Sequence, residues 1–240
     1  MTAHSSSGSP DTLTLQIPSS WQALTEQQLT SLLFIITHTT SAEDVKAQFL
    51  LHTLIPPHLR AQFDPDDLVD ALDALDWMDK APDTPVRPDW LGGIAAIDPL
   101  IHSLNFEQYL IAENLFQGYI ATEDEEPALQ LAAILFPIDE KGTPQLQHKA
   151  IHAQAALLWW MGIKAHFART FADLFKPAPA SEDGTRPDME AAMNAQIRAL
   201  TGGDVTKEDY ILHQVSAWRA LTELNAKARE AHELQKSLNN

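Results

Sequence analysis

Apolar residues recur at helical intervals along most of this chain, most densely between His148 and Lys176. There Ile151, Ala155, Leu158, Met161, Ala165, Phe167, Phe171 and Leu174 follow steps of two to four residues, the mark of a buried face. Leu157, Trp159 and Trp160 widen that face until the middle of the stretch is apolar nearly all round. A helix of this kind belongs in an interior with other helices packed on it. With no proline and a single glycine, Gly162, the stretch predicts the long central helix of an all-α protein. Its tryptophan pair is the expected hub for the helices that begin near Asn105 and Pro127.

The remaining pattern predicts a multi-helix bundle around that helix. Leu29, Leu32, Leu33 and Ile36 place a helix over about 26–37, opened by Thr25 and Gln28 in capping-box form. Ser41 starts a second, which Pro56-Pro57 stops after Leu54. Asp64 before Pro65 caps a third, with Leu68, Leu72, Leu75 and Met78 on one face. On its other side aspartate recurs at every third position through Asp67, Asp70, Asp73, Asp76 and Asp79. Pro82, Pro85, Pro88 and Gly92-Gly93 then break the pattern. Asn105 with Gln108 opens a fourth helix, and Pro127 opens a short fifth before a surface loop over 137–144.

Beyond the central helix, 177–187 is rich in proline, alanine and charge and reads as a flexible linker. A C-terminal helical hairpin is expected over 188–240. Its first helix buries Met189, Met193, Ile197 and Leu200 and stops at Gly202-Gly203. Its second, capped by Thr206 with Asp209, runs to about Ser237. The rear half of this last helix offers only Ala228, Ala231 and Leu234, and is expected to project unless a partner covers it. The expected organisation is a disordered tail over 1–12, a helical domain over 13–176 with sub-bundles near 13–80 and 94–176, the linker, and the hairpin. Leu13 to Ile17 alternates like a strand, but with no partner in view it reads as an extended arm lying on helices.

Charge narrows the partners. The 240 residues carry 16 Lys+Arg against 33 Asp+Glu, a formal net of −17. Such a chain repels nucleic acid and anionic membranes and favours a basic partner. It has no cysteine, which excludes disulfides, thiol nucleophiles and thiolate metal sites. The N-terminal stretch lacks the form of a signal peptide, and no apolar run reaches the roughly eighteen residues of a membrane span. A cytoplasmic protein is expected, with no direct contact to nucleic acid or membrane.

Candidate chemistry is sparse. His148 and His152 stand four apart on one helical face, but no glutamate of the zincin form lies between them. His166 lies about 27 Å further along the helix, too far to join them. They read as surface or hydrogen-bonded histidines rather than a metal pair. The aspartate ladder reads as a solvated face, because a three-residue step turns about 300° and carries the outer carboxylates apart. Glu113, near Tyr109 and Phe116, reads as a hydrogen-bonded structural carboxylate; no Glu-x-x-His exists for a di-metal bundle. The glycines of Leu200 to Lys207 lack Walker spacing and read as a tight helix connection. The basic residues of the central helix, Lys149, Lys164, Arg169 and Lys176, are expected to meet carboxylates such as Asp124 to Glu126. No catalytic residue, cofactor or metal is expected.

Three stretches carry a resemblance. They are Ile17-Pro18 and Ser20-Trp21 with Leu24-Thr25 and Gln28-Leu29; Phe106 to Tyr109 with Ala112-Glu113-Asn114 and Tyr119; and Arg198 to Glu208 followed by Trp218 to Leu224. Together they resemble helical proteins of bacterial prophages and mobile elements found near tail-assembly genes. The resemblance implies a non-enzymatic role in virion or tail assembly, such as a chaperone shielding the apolar helices of a tape-measure protein. Its motifs carry no chemistry to transfer residue by residue. The expected partner is a protein, in the prophage case a phage tail protein, and self-association into a homo-oligomer is compatible with it. The partner surface is expected on the last helix, at Ile211, Val215, Trp218 and Leu221. Two alternatives stand beside this reading: an enzyme with an unfamiliar helical site near Glu113 or His152, and an acidic adaptor binding a basic partner through Asp67 to Asp79.

Overall fold

The computed structural model describes residues 2–3, 13–138, 147–176 and 189–238. The expected tail apart from Thr2 and Ala3, most of the 137–144 loop and the whole 177–187 linker lie outside the described residues. Nine α-helices are described: α1 (Glu26–His38), α2 (Ala42–Phe49), α3 (Pro65–Asp73), α4 (Phe106–Thr122), α5 (Glu125–Leu135), α6 (Ala150–Thr170), α7 (Met189–Thr201), α8 (Glu208–Gln214) and α9 (Ala217–Leu238). The fold is all-α, with two very short hairpins. In one, β1 (Thr2–Ala3) pairs antiparallel with β2 (Leu13–Thr14), which supplies the partner that the Leu13 strand lacked in the sequence. In the other, β3 (Trp90–Leu91) pairs with β4 (Ile94–Ala95) across Gly92 and Gly93, both at positive φ. Gly92-Gly93 is thus a two-residue hairpin turn rather than a plain break.

Local signals place the helix starts. Thr25 with Gln28 and Asn105 with Gln108 both form reciprocal capping boxes. Asp64 accepts from the Asp66 N–H with Pro65 in the first turn. α2 continues through a π-helical turn, Leu50–Leu54, before Pro56. α3 stops at Asp73, so the aspartate ladder is split between a helix and the 3-10 turn Asp76–Asp79. Asp76 and Asp79 both grip the Lys46 ammonium, at 2.7 and 2.6 Å.

α6 is the centre. Trp159 and Trp160 are both 0 % exposed. The Trp159 indole donates to the Pro99 carbonyl at 3.0 Å, and the Phe136 ring meets it edge-on. α5 runs along α6, while Tyr109 of α4 reaches the Trp160 and Phe167 rings. The proline-rich 82–88 segment straps across the same helix. A Cβ on Gly162 would lie 2.2 Å from the Thr84 carbonyl oxygen, so only glycine lets that backbone cross.

Three expectations fail here. The last helix is not continuous: α8 ends at Gln214, and α9 starts at Ala217. At the break the Val215 carbonyl accepts from the Phe106 N–H and the Ala217 N–H donates to the Leu104 carbonyl, each at 2.9 Å. Backbone groups that would continue the helix are used instead to pair with the entry to α4. The cap before α8 also differs, since Asp204 accepts from the Thr206 N–H and hydroxyl. The lysines and arginine of the α6 region do not meet Asp124 to Glu126. Lys164 pairs with Glu113, Lys176 with Asp173, and Arg169 donates to the Asp83 carbonyl. Glu125 and Glu126 sit in the first turn of α5, where carboxylates favour the positive end of the helix dipole.

α7 packs on α8 and α9, and α8 and α9 pack on α4. Asn225 of α9 accepts from the Asp173 and Leu174 N–H groups, closing the end of the α6 region, and Arg229 pairs with Asp173 at 3.0 Å.

Candidate functional site

The residues that chemistry nominated are held in closed networks. Glu113 Oε2 accepts from the Trp160 indole at 3.0 Å, while Oε1 accepts from Gln117 at 2.9 Å and pairs with Lys164. Both carboxylate oxygens are therefore engaged, and Lys164 also lies over the Phe116 ring. Beside them the buried Tyr109 hydroxyl is pushed far above its usual range by burial and by the Glu113 charge, so it stays protonated.

His152 is 1 % exposed. Its Nδ1 accepts from the Lys149 N–H at 3.1 Å, which assigns the proton to Nε2, and that nitrogen donates to the Leu91 carbonyl at 3.0 Å. Burial, opposed by the Leu91 bond, holds its pKa below the ordinary imidazole value. His148 donates separately to the Phe136 carbonyl. The pair thus stitches the β3–β4 hairpin and the end of α5 to the start of α6. Both His152 nitrogens and His148 Nε2 are taken up by these bonds, and among the described residues no group of three His, Asp or Glu side chains could hold a metal ion.

The four residues expected at a partner surface are divided by the fold. Leu221 is 0 % exposed in the core, and Trp218 stands among Phe167, Phe171, His166 and His102 rings. Leu221 is closed to a partner, and Trp218 is half-buried, because α9 turns that face toward α4 and the end of α6. Ile211 and Val215 are half-buried and line a broad cleft of about 630 Å³ together with Tyr210, Arg219 and Glu223.

A cleft with more defined chemistry opens on the other side of α8. It encloses about 450 Å³ between α4, α7 and α8. Leu110, Ile111, Met193, Ile197 and Leu212 form its apolar lining, and Glu107, Glu190, Asn114 and Asn194 supply its polar groups. Ile111 stays 46 % exposed although α4 has neighbours on its other sides. The site comes from α4 being apolar nearly all round while α7 covers it loosely; of the α7 residues only Thr201 is buried. The sequence places Met193 and Ile197 inward and nominates Glu107 beside Glu113 as a helical carboxylate, but its spacing singles out neither Ile111 nor Glu190. The available signal was FEQYLIAENLFQGYIAT, a helix with apolar residues on more faces than its neighbours could cover and with no lysine or arginine.

A smaller cleft of about 350 Å³ between α1, α4 and α6 is lined by Trp21, Leu33, Ile36, Phe116, Ile120 and Met161 among others, and it contains both Asp79 and Lys80. Its charges are mixed, whereas the side chains lining the α4–α7–α8 cleft include carboxylates and no lysine or arginine.

No family model matches the chain, and no curated protein or solved structure does. Among the described residues no helix is long and apolar enough to cross a membrane.

Proposed function

We propose that this chain is a non-enzymatic protein-interaction protein that takes an apolar helical segment of a partner into the cleft between α4, α7 and α8. The observation that carries the reading is Ile111. It stands 46 % exposed on the side of α4 that α7 and α8 cover only loosely, above a cleft floored by Leu110, Met193, Ile197 and Leu212. Grooves of this make-up receive the apolar stripe of an amphipathic helix, one or two anchor side chains at a time. Met193 suits such a role, because an unbranched thioether adapts to differently shaped occupants.

The resemblance to prophage helical proteins supports a particular form of this function, a tail-assembly chaperone that shields apolar helices of a tape-measure protein. The polar side chains that an enzyme reading would use, Glu113 and His152, are occupied in bonds that hold α4 and the β3–β4 hairpin to α6. That occupancy favours the interaction reading over the enzymatic one.

Fluorescence anisotropy with labelled amphipathic helical peptides tests the proposal. The Ile111→Asp/Met193→Asp double variant should lose binding while retaining the circular dichroism and Tm of the parent. Undiminished binding by that variant would reject the cleft as the site.

A further inference from the structure

The charges around this cleft are one-sided. α4, α7 and α8 carry Glu107, Glu113, Glu190, Glu208 and Asp209 against Arg198 and His213. Glu113 is already paired with Lys164, and Arg198 lines a separate small cleft with Glu208. At the cleft itself stand Glu107, in the first turn of α4, and Glu190, in the first turn of α7, with the amides of Asn114 and Asn194. An apolar floor with a carboxylate rim is complementary to a helix that has an apolar stripe flanked by basic side chains.

His213 already occupies one of those carboxylates. Its Nε2 lies 3.1 Å from Glu107 Oε2, and its Nδ1 lies 3.0 Å from the Asp209 carbonyl and 3.1 Å from the Asp209 carboxylate. Both ring nitrogens face oxygen acceptors, and only the imidazolium has a donor on each. Glu107 from α4 and Asp209 from α8 are the charged groups at this ring among the described residues.

Resting on the docking role proposed above, we infer that the occupant is a cationic amphipathic helix whose basic side chains are taken by Glu107 and Glu190, with His213 competing for Glu107. When His213 is protonated, Glu107 is neutralised from within the protein. When it is neutral, the carboxylate is free for the incoming cation. The bond to the Asp209 carbonyl, with the Glu107 and Asp209 charges, holds the imidazole above its ordinary range. The proton therefore leaves above about pH 6.5, and binding strengthens as pH rises through that window.

Two peptides with the same apolar stripe, one flanked by arginine and one by glutamate, provide the test by anisotropy at pH 6 and pH 8.5. The arginine peptide should bind more tightly, more so at pH 8.5, and weaken with added salt. Glu107→Gln and Glu190→Gln should each weaken it by about three- to fivefold at pH 8.5, as expected for exposed charge pairs. Glu107→Gln should also abolish the pH dependence. His213→Gln should bind at pH 6 as tightly as the parent does at pH 8.5. Equal binding of the two peptides, or a preference for the glutamate peptide, would overturn the charge assignment while leaving the docking reading in place. Binding of neither peptide would overturn both. A pH dependence that persists in Glu107→Gln would remove His213 from the mechanism.

Discussion

α4 has two sides that the fold treats differently. Toward α5 and α6 it presents Phe106, Tyr109, Ala112 and Phe116, all buried, and the one carboxylate there, Glu113, is matched by Trp160, Gln117 and Lys164. Toward α7 and α8 it presents Glu107, Ile111 and Asn114 around a cleft. Both sides mix apolar and polar residues. On the first, the Glu113 carboxylate is matched by Trp160 and Lys164 of α6 and by Gln117 of α4, so its burial carries little polar cost. On the second, the apolar residues have too little cover and the carboxylates face outward, which is the composition expected of a surface completed by another molecule.

The contrast predicts that changes around α6 alter stability, whereas changes at the cleft alter binding. Gly162→Ala should have the largest effect, because its methyl would collide with the Thr84 and Pro85 backbone, which cannot rotate away. A loss of about 3 kcal/mol is expected, the upper end for overpacking, read as a lower urea midpoint at unchanged slope.

Glu113→Ala comes next. It leaves the Trp160 N–H, within a residue 0 % exposed, without its acceptor, for a loss of about 2 kcal/mol. Glu113→Gln should cost less, since its amide oxygen still accepts from Trp160 and the Lys164 side chain is 38 % exposed to water. Equal losses for the two variants would place the stabilisation in the ion pair rather than in the indole bond.

Acid separates the two regions by sign. His152 has a lowered pKa, so its contribution is complete above about pH 6.5 and is lost as pH falls through its folded value. His213 has a raised pKa, so its tie to Glu107 is complete below about pH 6.5 and is lost as pH rises. Urea midpoints measured across pH 5–9 should show His152→Gln flattening the acid limb and His213→Gln leaving that limb unchanged. The smallest effect on stability belongs to Ile111→Ser, within about 0.5 kcal/mol, as for surface substitutions generally. A large loss there would mean that Ile111 is a core residue and would erase the contrast.

Much of the architecture was legible one segment at a time. The capping boxes at Thr25 and Asn105 depend on residues three apart, and the stop at Gly202-Gly203 on a local left-handed turn. The tryptophan pair marked α6 as interior because so continuous an apolar surface has no other place in water. The break at Val215–Ser216 was hidden, since Ile211, Val215 and Trp218 keep helical spacing across it. What ends α8 is a pair of backbone bonds to residues 104 and 106, more than a hundred positions away. The burial of Leu221 was hidden for the same reason: spacing identified an apolar stripe through Leu221 and Trp218 without saying how much of it another helix covers.

Periodicity, caps and glycines determined which segments are helical and which of their faces are apolar, because those properties arise within a few residues of chain. Only the tertiary arrangement decided which apolar face was left over. It gave Gly162 to the Thr84–Pro85 backbone and Glu113 to the Trp160 indole, and it left Ile111 beside a loosely covering α7. Exposure depends on what each face meets, and contacts between distant segments are not written in the spacing of either.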